Sequence, residues 1–182
     1  MNFRVGDQVV HSVYGLGEIV QLDEKKLAGR TAQYYVVRIR DLTLWVPIND
    51  SGDSSLRYPT PASDFEALFA ILRSPGEPLS EDRLVRKTQL TDQIKDGKLS
   101  SVCRAVRDLT YHRHTKKMND NDTATLERLQ NFLLSEWVVS LSISFSQAKQ
   151  ELSVLLGEDL TKIKEPVNRN KAPVWRQNHP AS

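Results

Sequence analysis

Val5-Gly6-Asp7-Gln8-Val9-Val10-His11-Ser12-Val13-Tyr14-Gly15-Leu16-Gly17-Glu18-Ile19-Val20-Gln21-Leu22 decides the fold of the first third of the chain. Two runs rich in valine and isoleucine, Gln8 to Val13 and Glu18 to Leu22, flank Tyr14-Gly15-Leu16-Gly17, and a connection that short between two strands makes an antiparallel hairpin. The same grammar continues outward. Tyr34 to Ile39 and Thr43 to Val46 read as strands joined by Arg40-Asp41-Leu42, with Lys26 to Ala32 read as a loop. So small a meander buries a core only if it curls, which predicts a Tudor-like or SH3-like antiparallel β-barrel over residues 1–60. The Asn49-Asp50-Ser51-Gly52-Asp53 stretch and Pro59-Thr60-Pro61 end the β region.

From Asp64 onward the hydrophobic period changes from two to that of a helix. Phe65, Leu68, Phe69 and Leu72 fall at i, i+3, i+4 and i+7, and Pro75-Gly76-Glu77-Pro78 stops that helix. Leu99, Val102, Cys103 and Val106 repeat the spacing. A longer stripe of Leu126, Leu129, Phe132, Leu133 and Trp137 follows the capping cluster Asn119 to Asp122. Ser144 with Gln147 spells a capping box before Ala148, Leu152 and Leu155. The predicted class is therefore α+β: the barrel, then a compact all-α domain of four to five helices over residues 61–158. Residues 159–182, with Lys162, Lys164, Arg169, Lys171, Pro173 and Pro180, read as a basic disordered tail.

With 182 residues, 39% hydrophobic and 26% charged, the composition is that of an ordinary globular chain and excludes collagen-like, wholly disordered and disulfide-stapled classes. No apolar run approaches the ~20 residues of a membrane helix, so no membrane contact is expected. The single Cys103 cannot form an internal disulfide, and a cytoplasmic location is expected. Motifs for zincins, P-loops, dinucleotide binding and serine nucleophiles are all missing, so the expectation is a non-enzyme with no cofactor, no metal and no small-molecule substrate. His112 and His114, two apart on a helix, point in different directions and do not chelate one ion. Cys103 sits in an apolar stripe, where a thiol acts as a small hydrophobe. Trp137 falls on a core stripe; Trp45 is balanced between core and a partner-binding surface.

The +2 net charge conceals a polarised middle. Between residues 83 and 117 ten basic side chains face only Asp92, Asp96 and Asp108, a local +7, with an acidic stretch of −4 on each side. An excess of that size is the footprint of a phosphate-contacting surface; a merely solvated helix face is the bland alternative.

The order of residues adds a resemblance. Phe3-x-Val5-Gly6-Asp7-x-Val9-Val10 through Gly15-x-Gly17-x-Ile19, then Tyr34-Tyr35-Val36-Val37, Trp45-Val46-Pro47-Ile48-Asn49 and Leu56-Arg57, and later Val102-Cys103-Arg104-Ala105-Val106-Arg107-Asp108-Leu109, resemble the CarD/CdnL family of bacterial transcription regulators across about residues 1 to 156. The resemblance implies a barrel that binds the RNA polymerase beta subunit and a helical domain that contacts promoter DNA and modulates open-complex stability, in a cytoplasmic, nucleoid-associated monomer. The candidate polymerase contacts are Lys25, where the family tends to place a basic residue, Arg38, and Trp45, an aromatic anchor where the family often carries a basic residue. The candidate DNA contacts, taken from the basic block, are Arg86, Lys87, Arg104, Arg107 and Arg113, with Arg107-Asp108 alternatively a structural pair between helices. Where the family carries a tryptophan that wedges into the minor groove, Val85-Arg86-Lys87-Thr88 has none, and Lys87 stands at or beside that place. Weak, non-sequence-specific and salt-dependent DNA binding is expected. The alternative is a polymerase-binding protein whose helical domain engages another protein.

Overall fold

The computed structural model describes residues 2–27, 30–48, 55–160 and 163–165. Five strands come first: β1 (Gln8–His11), β2 (Gly15–Leu27), β3 (Arg30–Ile39), β4 (Leu42–Pro47) and β5 (Leu56–Arg57). They form one antiparallel sheet in the order β4-β3-β2-β1-β5. Val46 on one edge strand and Leu56 on the other share a single core with Phe3, Val9, Ile19, Tyr35, Val37 and Ile39. Two edges of a sheet reach the same core only if it curls, so the Tudor-like barrel expected from the short strands is present. The β1–β2 turn places Gly15 at φ +85°, left-handed backbone that glycine enters without strain, and the Phe132 ring packs over it.

One local expectation differs from the structure. Lys26 to Ala32 is not a wide loop: β2 runs to Leu27 and β3 starts at Arg30, pairing Lys25 with Ala32 and Lys26 with Thr31. β5, two residues long and so without periodicity of its own, pairs Val10 with Arg57 and His11 with Leu56.

Five helices follow: α1 (Phe65–Arg73), α2 (Arg83–Ile94), α3 (Leu99–Thr115), α4 (Asp120–Leu141) and α5 (Phe145–Leu156). The predicted stripes are buried, with Leu99, Val102, Cys103 and Val106 of α3 against Leu126, Leu129, Leu133 and Trp137 of α4 in one continuous core. Phe65 and Phe69 of α1 lean on the Trp137 ring, centroids 5.9 and 4.8 Å away. Asn119 caps α4 by accepting from the Asp122 N–H at 2.9 Å. At α5 only half of the capping box forms: Ser144 accepts from the Gln147 N–H, whereas the Gln147 amide turns to Glu151.

Beyond residue 158 the chain still packs on the helical core. Leu160 and Ile163 are 4% and 7% exposed and belong to the helical core, and the Lys149 ammonium holds the Ile163 carbonyl at 3.0 Å. The rest of the predicted tail, including Trp175, lies outside the described residues. Among the described residues no helix is long and apolar enough to cross a membrane.

Candidate functional site

The outer face of the sheet gathers the three barrel residues singled out from the sequence. The ladder sets Trp45 opposite Val36 and Val36 opposite Gln21, while Arg38 stands between Thr43 and Glu18. Because side chains two apart along a strand share a face, Lys25, Arg38 and Trp45 all project from the side opposite the barrel core. Trp45 is 46% exposed, which decides between the two readings of this residue: it is a surface aromatic. Its ring is held in place. Lys25 Nζ lies 3.9 Å from the ring centroid, and the indole N–H donates to Asp23 Oδ2 at 3.0 Å. Arg38 Nη2 meets Glu18 Oε2 at 3.4 Å, an exposed pair of small energetic weight. Beside this cluster runs β4, whose outer edge is unpaired among the described residues.

The helical domain distributes its arginines differently from the expectation. Arg86 is 5% exposed, its Nε and Nη2 on Asp122 Oδ2 at 2.9 and 2.6 Å and its Nη1 on the Ser80 and Glu81 carbonyls. A guanidinium so enclosed does not face phosphate, and Arg86 is a core tie between α2 and the start of α4. Arg107 likewise turns inward, to Asp108 Oδ1 at 2.8 Å, Ser74 Oγ at 2.8 Å and Glu77 Oε1 at 3.1 Å, the structural pairing that was its alternative reading. Arg113 is forked onto the buried carboxylate of Glu158, which His114 also approaches. The acidic flanks explain the pattern. Glu77, Glu81, Asp122 and Glu158, drawn from both −4 stretches, fold back onto Arg107, Lys116, Arg86 and Arg113. Four of the block's ten basic side chains are thus paired within the chain.

The remaining basic residues of that block, Arg83, Lys87, Lys95, Lys98, Arg104 and Lys117, are exposed with no carboxylate partner among the described residues. Lys87 lines a shallow depression between α2 and α4 together with Arg128, a cation the sequence reading passed over because it sits in an acidic stretch. Arg104 stands on the outer face of α3. In the first turn of α2, capped by Asp82, Leu84 and Val85 are 73% and 49% exposed, apolar side chains next to Arg83 and Lys87.

Cys103 is fully buried, and burial, with the Glu136 carboxylate nearby, pushes its thiol up to about 12, far from a nucleophile. His112 is buried while His114 is exposed, so the two diverge as their spacing requires. Among the described residues no group of three metal-ligating side chains converges.

Comparison with known proteins agrees with both halves. Residues 3–57 match the CarD-like/TRCF RID domain model, and residues 67–153 match the model of the CarD C-terminal domain. The chain is 32% identical over 155 residues, covering 81% of its own length and 97% of the relative's, to the "Putative transcription factor YdeB" of Bacillus subtilis (strain 168). A barrel and a helical bundle in that order, each matched by the corresponding family model, make this chain a member of the CarD family of transcription regulators.

Proposed function

We propose that this protein docks on the beta subunit of RNA polymerase through the outer face of its barrel and contacts promoter DNA through its helical domain, modulating the stability of the open complex. The observation that carries the first half is the fixed Lys25–Trp45–Asp23 cluster beside an unpaired strand edge. An edge offers backbone hydrogen bonds to a partner strand, and an aromatic anchor already ordered by a cation and a carboxylate loses little entropy on docking. Arg38, on the same face, adds a charge two residues along the ladder. The DNA half is carried by Lys87 and Arg104 from the original set, joined by Arg83 and Arg128, whose charges are not consumed internally. Phosphate contacts of this kind position a protein without reading sequence.

A second reading, in which the helical domain grips another protein and barely binds DNA, is favoured by the internal neutralisation of four of the ten basic side chains and by the exposed Leu84 and Val85. Two measurements separate the outcomes. In polymerase pull-downs with the full chain, Lys25→Glu and Trp45→Ala weaken capture while leaving circular dichroism unchanged; unaltered capture by both overturns the docking face. In a salt titration of duplex binding, four phosphate contacts give a log–log slope of about −3.6, and a flat slope selects the protein-binding reading.

A further inference from the structure

The two domains meet at a carboxylate. Glu136 lies in the last third of α4 and is 0% exposed. Its Oε1 accepts from Arg57 Nη1 at 2.7 Å, from the Thr60 N–H at 2.7 Å and from Thr60 Oγ1 at 2.6 Å, and its Oε2 accepts from Arg57 Nη2 at 2.8 Å. Arg57, on the barrel's last strand, also donates from Nε to the Gly97 carbonyl in the α2–α3 turn at 2.9 Å. That turn has no room to retreat: Gly97 has φ +66°, and a Cβ there would stand 3.0 Å from the Ser12 Cβ of the barrel. Barrel strand, interdomain linker, α2–α3 turn and α4 therefore converge on one ion pair. Around it the contact is apolar, with Val10 inserted into the helical core and Phe132 over Gly15.

Apolar contacts hold surfaces together but tolerate sliding and rotation. A two-pronged guanidinium–carboxylate bond does not, because both N–H···O vectors must stay in one plane. Buried ion pairs contribute little net stability, and their best-attested use is to select one geometry among several of similar energy. We infer that Arg57 and Glu136 are positioning residues that set the angle between the polymerase-facing sheet and the DNA-facing helices, so that one docked molecule presents the other domain to the promoter in a single orientation. This inference rests on the bridging function proposed above. It adds that the bridge works as a rigid bracket and not as two tethered modules, since an effective concentration is realised only if the geometry permits both contacts at once.

The test uses the full chain carrying Arg57→Lys, which keeps the charge and removes the fork, and Glu136→Gln, which keeps the shape and removes the charge. Spin labels at Gln33→Cys in the barrel and Lys117→Cys after α3, both exposed positions, report the interdomain distance; the buried Cys103 thiol stays unlabelled. Both brace variants should broaden a narrow distance distribution. Polymerase capture and duplex binding, measured separately, should stay within about twofold, while open-complex lifetime falls by ~10-fold or more as the joint contact is lost. Arg57→Lys decides the matter if Glu136→Gln unfolds, because the Arg57 side chain is 26% exposed and replaceable at lower cost. A distribution that stays narrow overturns the brace, and an unchanged lifetime despite a broadened distribution overturns its role in bridging. A wild-type chain without effect on open complexes overturns the bridging reading instead; the distances, read without polymerase or DNA, keep the two failures apart.

Discussion

Replacing Arg86 by alanine should destabilise rather than merely discharge the helical domain. Arg86 makes four hydrogen bonds, two to Asp122 Oδ2 at 2.9 and 2.6 Å and two to the Ser80 and Glu81 carbonyls at 2.6 and 3.1 Å. Asp122 is 1% exposed and, once Arg86 is gone, retains only the Asn119 side-chain amide on that oxygen. Removing one partner of a buried pair costs about 3–5 kcal/mol because the other charge is left in a poorly solvating interior. Against a total stability of ~5–15 kcal/mol the loss is large. At roughly 2–4 °C per kcal/mol for a chain of this length, the melting temperature should fall by about 6–20 °C. Lys87, one residue along and exposed, provides the contrast: Lys87→Ala should move the melting temperature little and lower DNA affinity and its salt slope. The assay is thermal unfolding by circular dichroism on both variants and on Arg86→Met/Asp122→Leu, where an apolar pair should recover most of the loss. Duplex binding is measured in parallel below every melting temperature. An Arg86→Ala protein that melts like wild type yet loses DNA affinity as Lys87→Ala does would refute the reasoning and restore Arg86 to the DNA surface.

Two further outcomes follow from burial. His11 and His112 are held below their ordinary value of 6.5, both first by burial and His112 also by the Arg86 charge, so the folded chain binds fewer protons than the unfolded one. Stability should be full above about pH 6.5 and decline as the pH falls below it, and His112→Gln should flatten that decline in chemical denaturation curves taken across the range. A chain ending at Glu158 loses the burial of Leu160 and Ile163, up to ~1.5–3 kcal/mol for each side chain, so it should melt well below one ending at Glu165; equal melting temperatures would show that these two residues contribute nothing to the core.

Much of the fold was legible because hydrophobic period is a strong local signal. The stripes Phe65–Leu72, Leu99–Val106 and Leu126–Trp137 landed on helices with those residues inward. Helix α2 was hard to see for a physical reason: its buried positions are Arg86 and Leu90, while the apolar Leu84 and Val85 face solvent, so its pattern is inverted. Less of the candidate site was legible. Lys25, Arg38 and Trp45 share a face through the long β2–β3 ladder, which the reading of Lys26 to Ala32 as a loop hides. The arginines could not be sorted, since charge counting along a chain is blind to pairing at long range. Arg86 meets an aspartate 36 positions away, and Arg113 a glutamate 45 positions away. One clue was available: Glu136, between Leu133 and Trp137, is a charge on a core stripe, and such a residue is normally paired.

The edge of β4, unpaired among the described residues, has a cost as well as the use proposed for it. Leu42, Thr43, Leu44, Trp45, Val46 and Pro47 carry no charge, and open strand edges without charge are templates for aggregation between identical chains. What blunts this edge is its brevity and Pro47, which lacks the N–H that would extend a ladder. Under the docking proposed above, an edge left open for a partner strand also leaves the free chain open to pairing with its own copies.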